Sequence, residues 1–299
     1  MQTAVIISTY NQPEWLRWTL HGYTLQTDAH FEIVIADDGS DEKTQEVIDS
    51  FRDRLVISRV WHEDLGFRKT MILNKAIMAT HADYLIFTDG DCVPRADFVE
   101  AHRRLASQGH YLSAGYFKLT DRVSLAVDEP DITSGHLFNA RWLLASGQPW
   151  TYKLLKFTRR NEFQWLLNRI AGRYAGTYQP SFNGCNSSAF RQDLLRVNGF
   201  DERMRYGGLD RELGCRLVNA GIRPIQARYS ACVVHLHHER GYKNQSDWDL
   251  NLSIRAEVCR TRATWTEYGI IKGPPQLPAT DFTVSIKQAP TQLACPHIS

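Results

Sequence analysis

The chain has 299 residues, 43% of them hydrophobic and 23% charged, which is ordinary globular composition with enough apolar mass for one large core or two small ones. A formal charge of +2 is too small to imply nucleic acid as the main partner, and none is expected, while six cysteines without a Cys-x-x-Cys pair read as reduced thiols of a cytosolic protein. The first apolar run, Ala4 to Ile7, follows no basic leader, and no run approaches the ~18 residues of a spanning helix, so neither secretion nor membrane spanning is expected.

The first third alternates doubly apolar strands with amphipathic helices, the rhythm of a parallel sheet covered by crossover helices. A strand at Val5 to Ile7 leads to the loop Ser8-Thr9-Tyr10-Asn11 and, with Pro13 suited to a first turn, to a helix over Glu14 to Tyr23. Phe31 to Ala36 ends in Asp37-Asp38-Gly39-Ser40-Asp41 before a helix through Thr44, Val47, Ile48 and Phe51. Leu55 to Val60 ends in the loop from Trp61 to Lys69 before a helix whose apolar side carries Ile72, Leu73, Ala76 and Ile77. Tyr84 to Phe87 then delivers Asp89-Gly90-Asp91 to the carboxyl edge of the sheet, where open α/β sheets bind ligands. Gly90 permits a sharp turn there, and close carboxylates repel unless a cation lies between them. A hard divalent ion bridging carboxylates and substrate phosphates suits that pair, although Asp and Gly also populate plain surface turns.

From about His102 to Gly176 the pattern is less regular. Between Arg141 and Arg173, Lys153, Lys156, Arg159, Arg160 and Arg169 interleave with Trp142, Trp150, Trp165 and several leucines. Two readings fit: helices packed on the sheet with solvated basic faces, or a segment that docks on an anionic bilayer. Further on come Phe182 to Arg191, Gly199-Phe200-Asp201-Glu202, and Gly207-Gly208-Leu209-Asp210, the last opening a helix with Leu213, Leu217 and Val218 on one face and Gly221 as its stop. A strand at Cys232 to Val234 delivers His235-Leu236-His237-His238-Glu239, and strand alternation places His235 and His237 on one face. Trp248 to Tyr268 reads as a closing helix, and 273–299 as a proline-enriched tail.

The strand-end loops Thr9-Tyr10-Asn11, Asp37-Asp38-Gly39-Ser40 and Asp89-Gly90-Asp91, in this order, resemble glycosyltransferase family 2, whose members have the GT-A fold. Gly207-Gly208-Leu209-Asp210, followed by a helix and then a histidine after the next strand, resembles the C-terminal half shared by galactosyltransferase-type enzymes and bacterial chondroitin-polymerase domains. The resemblance implies an α/β GT-A fold with a nucleotide-sugar-binding half over 1–115, an acceptor-binding and catalytic half over 116–245, and a C-terminal helix and tail over 246–299.

The resemblance further implies an inverting, metal-dependent hexosyltransferase that moves a sugar from a nucleotide-sugar, a UDP-sugar by expectation, to a hydroxyl of a glycan or lipid-linked glycan in surface polysaccharide biosynthesis. Thr9, Tyr10, Asn11 and Asp38 are expected to hold the nucleoside, with Asp38 accepting from an imide N–H such as uracil's. Arg68 and Lys69 are expected at the diphosphate, and Asp89 and Gly90 beside the ribose or phosphates. Asp91, Asp89 and a histidine are the expected metal ligands, His237 first and His235 second; imidazole among oxygens suits Mn²⁺ better than Mg²⁺. Asp210 matches the acid that serves as base, a site where the helix N-terminus favours negative charge. Leu209 stands where that family commonly has Glu, which affects donor identity and acceptor orientation rather than the base. Two other classes fit less well: a non-catalytic nucleotide-sugar or glycan-binding protein on the same scaffold, which has no need of a base opposite the metal, and a nucleotidyltransferase, for which a Gly-rich phosphate loop after the first strand is missing. A lipid-attached acceptor places the protein in the cytoplasm, peripheral at the inner face of the membrane.

Overall fold

The computed structural model describes residues 1–151, 154, 181–228, 230–238 and 244–273. Its centre is a seven-stranded sheet in the order β3 (Ile57–Trp61), β2 (Glu32–Asp37), β1 (Thr3–Thr9), β4 (Tyr84–Asp89), β8 (Asn186–Phe190), β6 (His110–Ser113) and β9 (Arg223–Gln226). All seven residues of β1 are buried, as expected for a strand covered on both faces. The pairings β3–β2, β2–β1, β1–β4 and β6–β9 are parallel, whereas β8 runs antiparallel to both β4 and β6. That reversal brings the residues just before β8 to the same edge as the carboxyl ends of β1, β2 and β4.

Alternation in β1 divides the core. Ala4 and Ile6 pack with Ile72, Leu73, Ala76 and Ile77 of α3 (Lys69–Ala79), with Leu194 of α8 (Arg191–Arg196) and with Leu213 and Leu217 of α9 (Leu209–Asn219). Val5 and Ile7 face the other way, onto Leu16 and Leu20 of α1 (Pro13–Thr24), Val47 and Ile48 of α2 (Glu42–Asp49), and Phe98 and Val99 of α4 (Phe98–Leu105). A second sheet orders β5 (Cys92–Pro94), β10 (Val233–His235) and β7 (Tyr116–Lys118). Its apolar residues Val93, Phe117 and Val234 pack under α5 (Asp121–Ala126), α6 (Glu129–Thr133) and α7 (Ala140–Ala145).

Two sequence expectations shift. The closing helix α10 is Gln245–Thr261, ending before Tyr268, because Arg262 turns left-handed with φ 54°. The chain beyond it is gripped instead by Asn198, whose Nδ2 donates to the carbonyls of Thr266 and Ile271 (both 2.7 Å) and whose Oδ1 accepts from the Ile271 N–H (2.8 Å). The strand before the histidine cluster stops at His235, so alternation does not extend to His237. Most of the basic aromatic segment after Thr151, including Trp165, and the tail beyond Gly273 lie outside the described residues. Among the described residues, no helix is long and apolar enough to cross a membrane.

Candidate active site

The parallel register aligns the functional strand ends. Thr9 pairs with Asp37 and Ser8 with Asp89, so the loops after β1, β2 and β4 open side by side at the carboxyl edge. The sheet order reverses between β1 and β4, which is where open α/β sheets form a ligand crevice. Gly90 sits hard against β1: its N–H donates to the Ser8 carbonyl (2.8 Å), and a Cβ there would come within 3.0 Å of Thr9 Oγ1.

The two adjacent aspartates after β2 divide their work. Asp37 is spent on structure, paired with Arg59 at 2.6 Å and accepting from the Ser40 N–H at 2.8 Å. Asp38 lines the cavity, with Oδ1 2.7 Å from His62 Nε2 and Oδ2 accepting from the Arg68 N–H at 2.9 Å. Burial raises its carboxyl above the ordinary value despite those opposing hydrogen bonds. Each oxygen keeps a lone pair for a further donor. Tyr10 O–H donates to Asp64 (2.7 Å), while Asn11 accepts from the Asp41 N–H and donates its own N–H to Ser40 Oγ, both at 2.9 Å. Thr9, Tyr10 and Asn11 thus line the cavity beside Asp38 on a stitched loop.

Lys69, the first residue of α3, places its ammonium 2.6 Å from Asp89 Oδ1, an oxygen that also accepts from Ser8 Oγ at 2.7 Å. The ion pair offsets the unfavourable position of a cation at a helix N-terminus. Arg68 behaves differently from the sequence expectation. Its backbone N–H serves Asp38, while its guanidinium donates to the Glu63 carbonyl rather than joining Lys69 at the cavity wall.

Antiparallel pairing of β10 with β5 sets His235 opposite Cys92, next to Asp91. The ligand atoms of Asp91, His235 and His238 all lie within 4.8 Å of one another. Asp91 Oδ2 is 3.6 Å from His235 Nε2 and 2.8 Å from His238 Nε2, and the two rings stack at 5.5 Å. His235 Nδ1 donates to the Leu236 carbonyl (2.6 Å), which turns Nε2 toward the carboxylate. Burial works to raise the Asp91 carboxyl, but the charge of His235 and the hydrogen bond and charge of His238 outweigh it and hold it at about 2. One carboxylate and two imidazoles, one with its tautomer set by a backbone carbonyl, fit a divalent ion of the Mn²⁺ kind. His237, the sequence favourite, turns away: its N–H donates to Ser124 Oγ (2.8 Å) and its ring lies 3.3 Å from Asp121. The reason is the early end of β10, after which the chain no longer alternates and the third histidine swings back to Asp91.

Asp210 lies at the start of α9, behind a left-handed Gly208 (φ 74°). Oδ2 accepts from the Gly184 N–H and Oδ1 from the Arg211 N–H, both at 2.9 Å, so the carboxylate is held by backbone donors with lone pairs to spare. Cys185 sits among the acids. A hydrogen bond with Cys92 acts to lower its thiol, but burial and the charges of Asp89, Asp91 and Asp210 together push it up.

Beneath this edge lies a buried relay that sequence reading missed. His102 Nε2 faces Asn186 Oδ1 (3.1 Å), which only accepts, so Nε2 carries the proton and Nδ1 accepts from Ser188 Oγ–H (2.7 Å). Tyr84 O–H then donates to Ser188 (2.7 Å). Asn186 Nδ2 in turn donates to the carbonyls of Gly115 (2.8 Å) and Ala231 (3.0 Å), anchoring two loops of the site. Burial lowers the His102 imidazole to about 4. His62, Ser8 and Trp248 were also missed, since each acts through a partner more than twenty residues away in sequence.

Thr9, Tyr10, Asn11, Asp38, Lys69, Asp89, Asp91, His235, His238 and Asp210 share one cavity of about 1360 Å³, larger than the ~300–1000 Å³ typical of a single small ligand. The architecture is that of the GT-A glycosyltransferases. The model of Glycosyl transferase family 2 matches residues 4–196, and the chain belongs to that family. It is 31% identical over 263 residues to the validoxylamine A glucosyltransferase of Streptomyces hygroscopicus subsp. jinggangensis, covering 83% of this chain and 58% of that one. It is 25% identical over 278 residues to the chondroitin synthase of Escherichia coli, covering 88% of this chain and 38% of that one. The chain therefore spans less than two thirds of the length of these relatives. The mannosyltransferase PcManGT from Pyrobaculum calidifontis, solved with GDP-Man and Mn²⁺, shares the fold with a TM-score of 0.54 at 20% identity, over 80% of this chain and 58% of that one.

Proposed function

We propose that the protein is an inverting, metal-dependent hexosyltransferase that moves a sugar from a nucleotide-sugar, with uridine as its nucleoside, to a hydroxyl of a glycan or lipid-linked glycan. The observation that carries this reading is that Asp210, oriented by two backbone N–H groups, opens on the same cavity as the Asp91, His235 and His238 cluster. A site that only binds has no use for a fixed, partly satisfied carboxylate opposite a cation site.

In this mechanism Asp210 accepts the proton of the acceptor hydroxyl as its oxygen attacks the anomeric carbon. The bond from that carbon to the diphosphate breaks on the opposite face, so configuration inverts. Lys69 offsets charge at the departing diphosphate, and Asp38 accepts from the imide N–H of the base. Asp91, His235 and His238 would hold the divalent ion, with Asp89 beside them. When bound, that ion supplies Lewis-acid stabilisation of the leaving phosphate. The GDP-Man and Mn²⁺ of the PcManGT structure and the family membership support a nucleotide-sugar donor and a divalent ion in this reading.

The test is nucleotide release and product mass with a panel of UDP- and GDP-sugars, in Mn²⁺ and in chelator. Asp210→Asn should lower kcat by about 10²- to 10⁴-fold while the donor KM is largely kept. Donor binding lost with turnover intact removes Asp210 from the base role; full activity in chelator removes the metal. For a lipid-linked acceptor, Trp150, 63% exposed, is a contact for an anionic bilayer, and neutralising Lys153, Lys156, Arg159 and Arg160, which lie outside the described residues, should weaken vesicle binding. Co-sedimentation with anionic vesicles that weakens with salt is expected, and a protein that ignores such vesicles at low salt takes a soluble acceptor.

A further inference from the structure

The cavity has a wall that neither the family motifs nor the proposed chemistry uses. Trp248, in the first turn of α10, lies across the loop that leads into Asp210, and the residue is 43% exposed while lining the cavity. Gly207 is held at φ 106°, and a Cβ there would fall 2.4 Å from Trp248 Cε3 and 2.6 Å from Cζ3, so only a glycine lets the indole come this close to the backbone. Asn251, one turn along the same helix face and 3% exposed, fixes the arrangement. Its Nδ2 lies 3.0, 3.1 and 2.7 Å from the carbonyl oxygens of Arg205, Tyr206 and Gly207, and its Oδ1 accepts from the Arg205 N–H at 3.2 Å. Tyr206 is braced in turn by an edge-on contact with Phe67 at 6.0 Å.

This is costly to build for a side chain that only fills space. A buried amide is committed to three backbone carbonyls, and a position is reserved for glycine by its positive φ and by the ring against it, both to seat one indole that still opens to the cavity. The nucleotide end is formed at a different place, by the loops after β1 and β2. An aromatic face beside the proposed base suits the other substrate: one face of a pyranose ring presents C–H groups that stack on an indole, while its hydroxyls stay free for polar partners.

We propose that Trp248 is the platform for the acceptor sugar, stacking on the C–H face of a pyranose and so setting which hydroxyl meets Asp210. The assignment rests on the transferase reading for its role in turnover, but the binding it claims does not depend on turnover. Trp248 acts as a specificity-determining residue, held by Asn251 and Gly207.

The experiment is saturation-transfer NMR and titration with the 4-nitrophenyl β-D-pyranosides of glucose, galactose and N-acetylglucosamine, on the full chain. Wild type should bind at least one of them, with saturation strongest at ring C–H protons. Trp248→Ala should raise its dissociation constant by about tenfold or more, and Trp248→Phe should recover part of that loss. In turnover, the acceptor KM should move with Trp248→Ala while the donor KM stays within about twofold, a split that general loosening of the site does not produce. Equal binding by wild type and Trp248→Ala, with both folded by circular dichroism, overturns the platform, as does failure of every pyranoside to bind wild type. Binding that depends on Trp248 without any sugar transfer leaves the platform standing and sinks the transferase reading instead.

Discussion

Arg216 is the largest fully buried side chain in the molecule's described residues, and its loss should be among the most damaging single changes. Arg216 and Glu212 lie one turn apart on α9 with both side chains at 0% exposure, joined by two bonds, Nε to Oε1 at 2.6 Å and Nη2 to Oε2 at 2.8 Å. The guanidinium also donates to the carbonyls of Val197 and Gly199, tying the helix that carries Asp210 to the loop after α8. Arg216→Met keeps much of the volume but strands a buried carboxylate, a loss of about 3–5 kcal/mol. For a chain of this size that lowers the melting temperature on the order of 10 °C. The double variant Glu212→Met/Arg216→Met removes the stranded charge, so it should be more stable than Arg216→Met alone. It should nonetheless stay about 1–3 kcal/mol below wild type, because the Val197 and Gly199 carbonyls have lost their donor. Urea unfolding followed by far-UV circular dichroism measures both. If Arg216→Met sits within about 1 kcal/mol of wild type, or the double variant is no better than the single, the pair does not carry the burden assigned to it.

The histidine assignment is testable by titrating Mn²⁺ into transfer assays: His238→Ala should weaken the metal dependence by at least about tenfold, His237→Ala should leave it nearly unchanged, and the reverse order contradicts the geometry. His102 predicts an acid-sensitive fold. Its imidazole is lowered to about 4 by burial, against 6.5 when unfolded, so the neutral form is the native one. The associated stability is therefore complete above about pH 6.5 and falls as pH drops toward 4, by about 3 kcal/mol in total. Urea midpoints between pH 7 and 4 should follow that slope, and His102→Gln should flatten it; an unchanged slope in the variant assigns the acid sensitivity to other groups.

Much of this protein is determined by the sequence alone. Short, β-branched or aromatic apolar runs bounded by turn residues, such as Ala4 to Ile7 and Tyr84 to Phe87, read as strands covered on both faces, and polar residues directly after them emerge at one edge of a parallel sheet. That puts Thr9, Asp38, Asp89 and Asp91 each just past a strand's carboxyl end and so at one edge of a parallel sheet, while the neighbour order and register that set them side by side come from strand pairing. The Gly207-Gly208 turn and helix start at Asp210 are likewise local. What the tertiary structure decided are choices between chemically equivalent neighbours. Asp37 and Asp38 are chemically alike, and only the family resemblance singles out Asp38; the physical reason is Arg59, from β3, which pairs with Asp37 and takes it out of the site. His237 and His238 differ only in where β10 stops, which depends on its pairing with β5 and β7 rather than on any residue in the cluster. Arg68 and Lys69 part because one guanidinium finds the Glu63 carbonyl and the other cation finds Asp89. Trp248 carries no motif, and it acquires a role only because Asn251 and Gly207, both meaningless in isolation, seat it over the loop before Asp210. Periodicity is a property of one segment and can be read along the chain, whereas partner choice is a property of two segments brought together by folding.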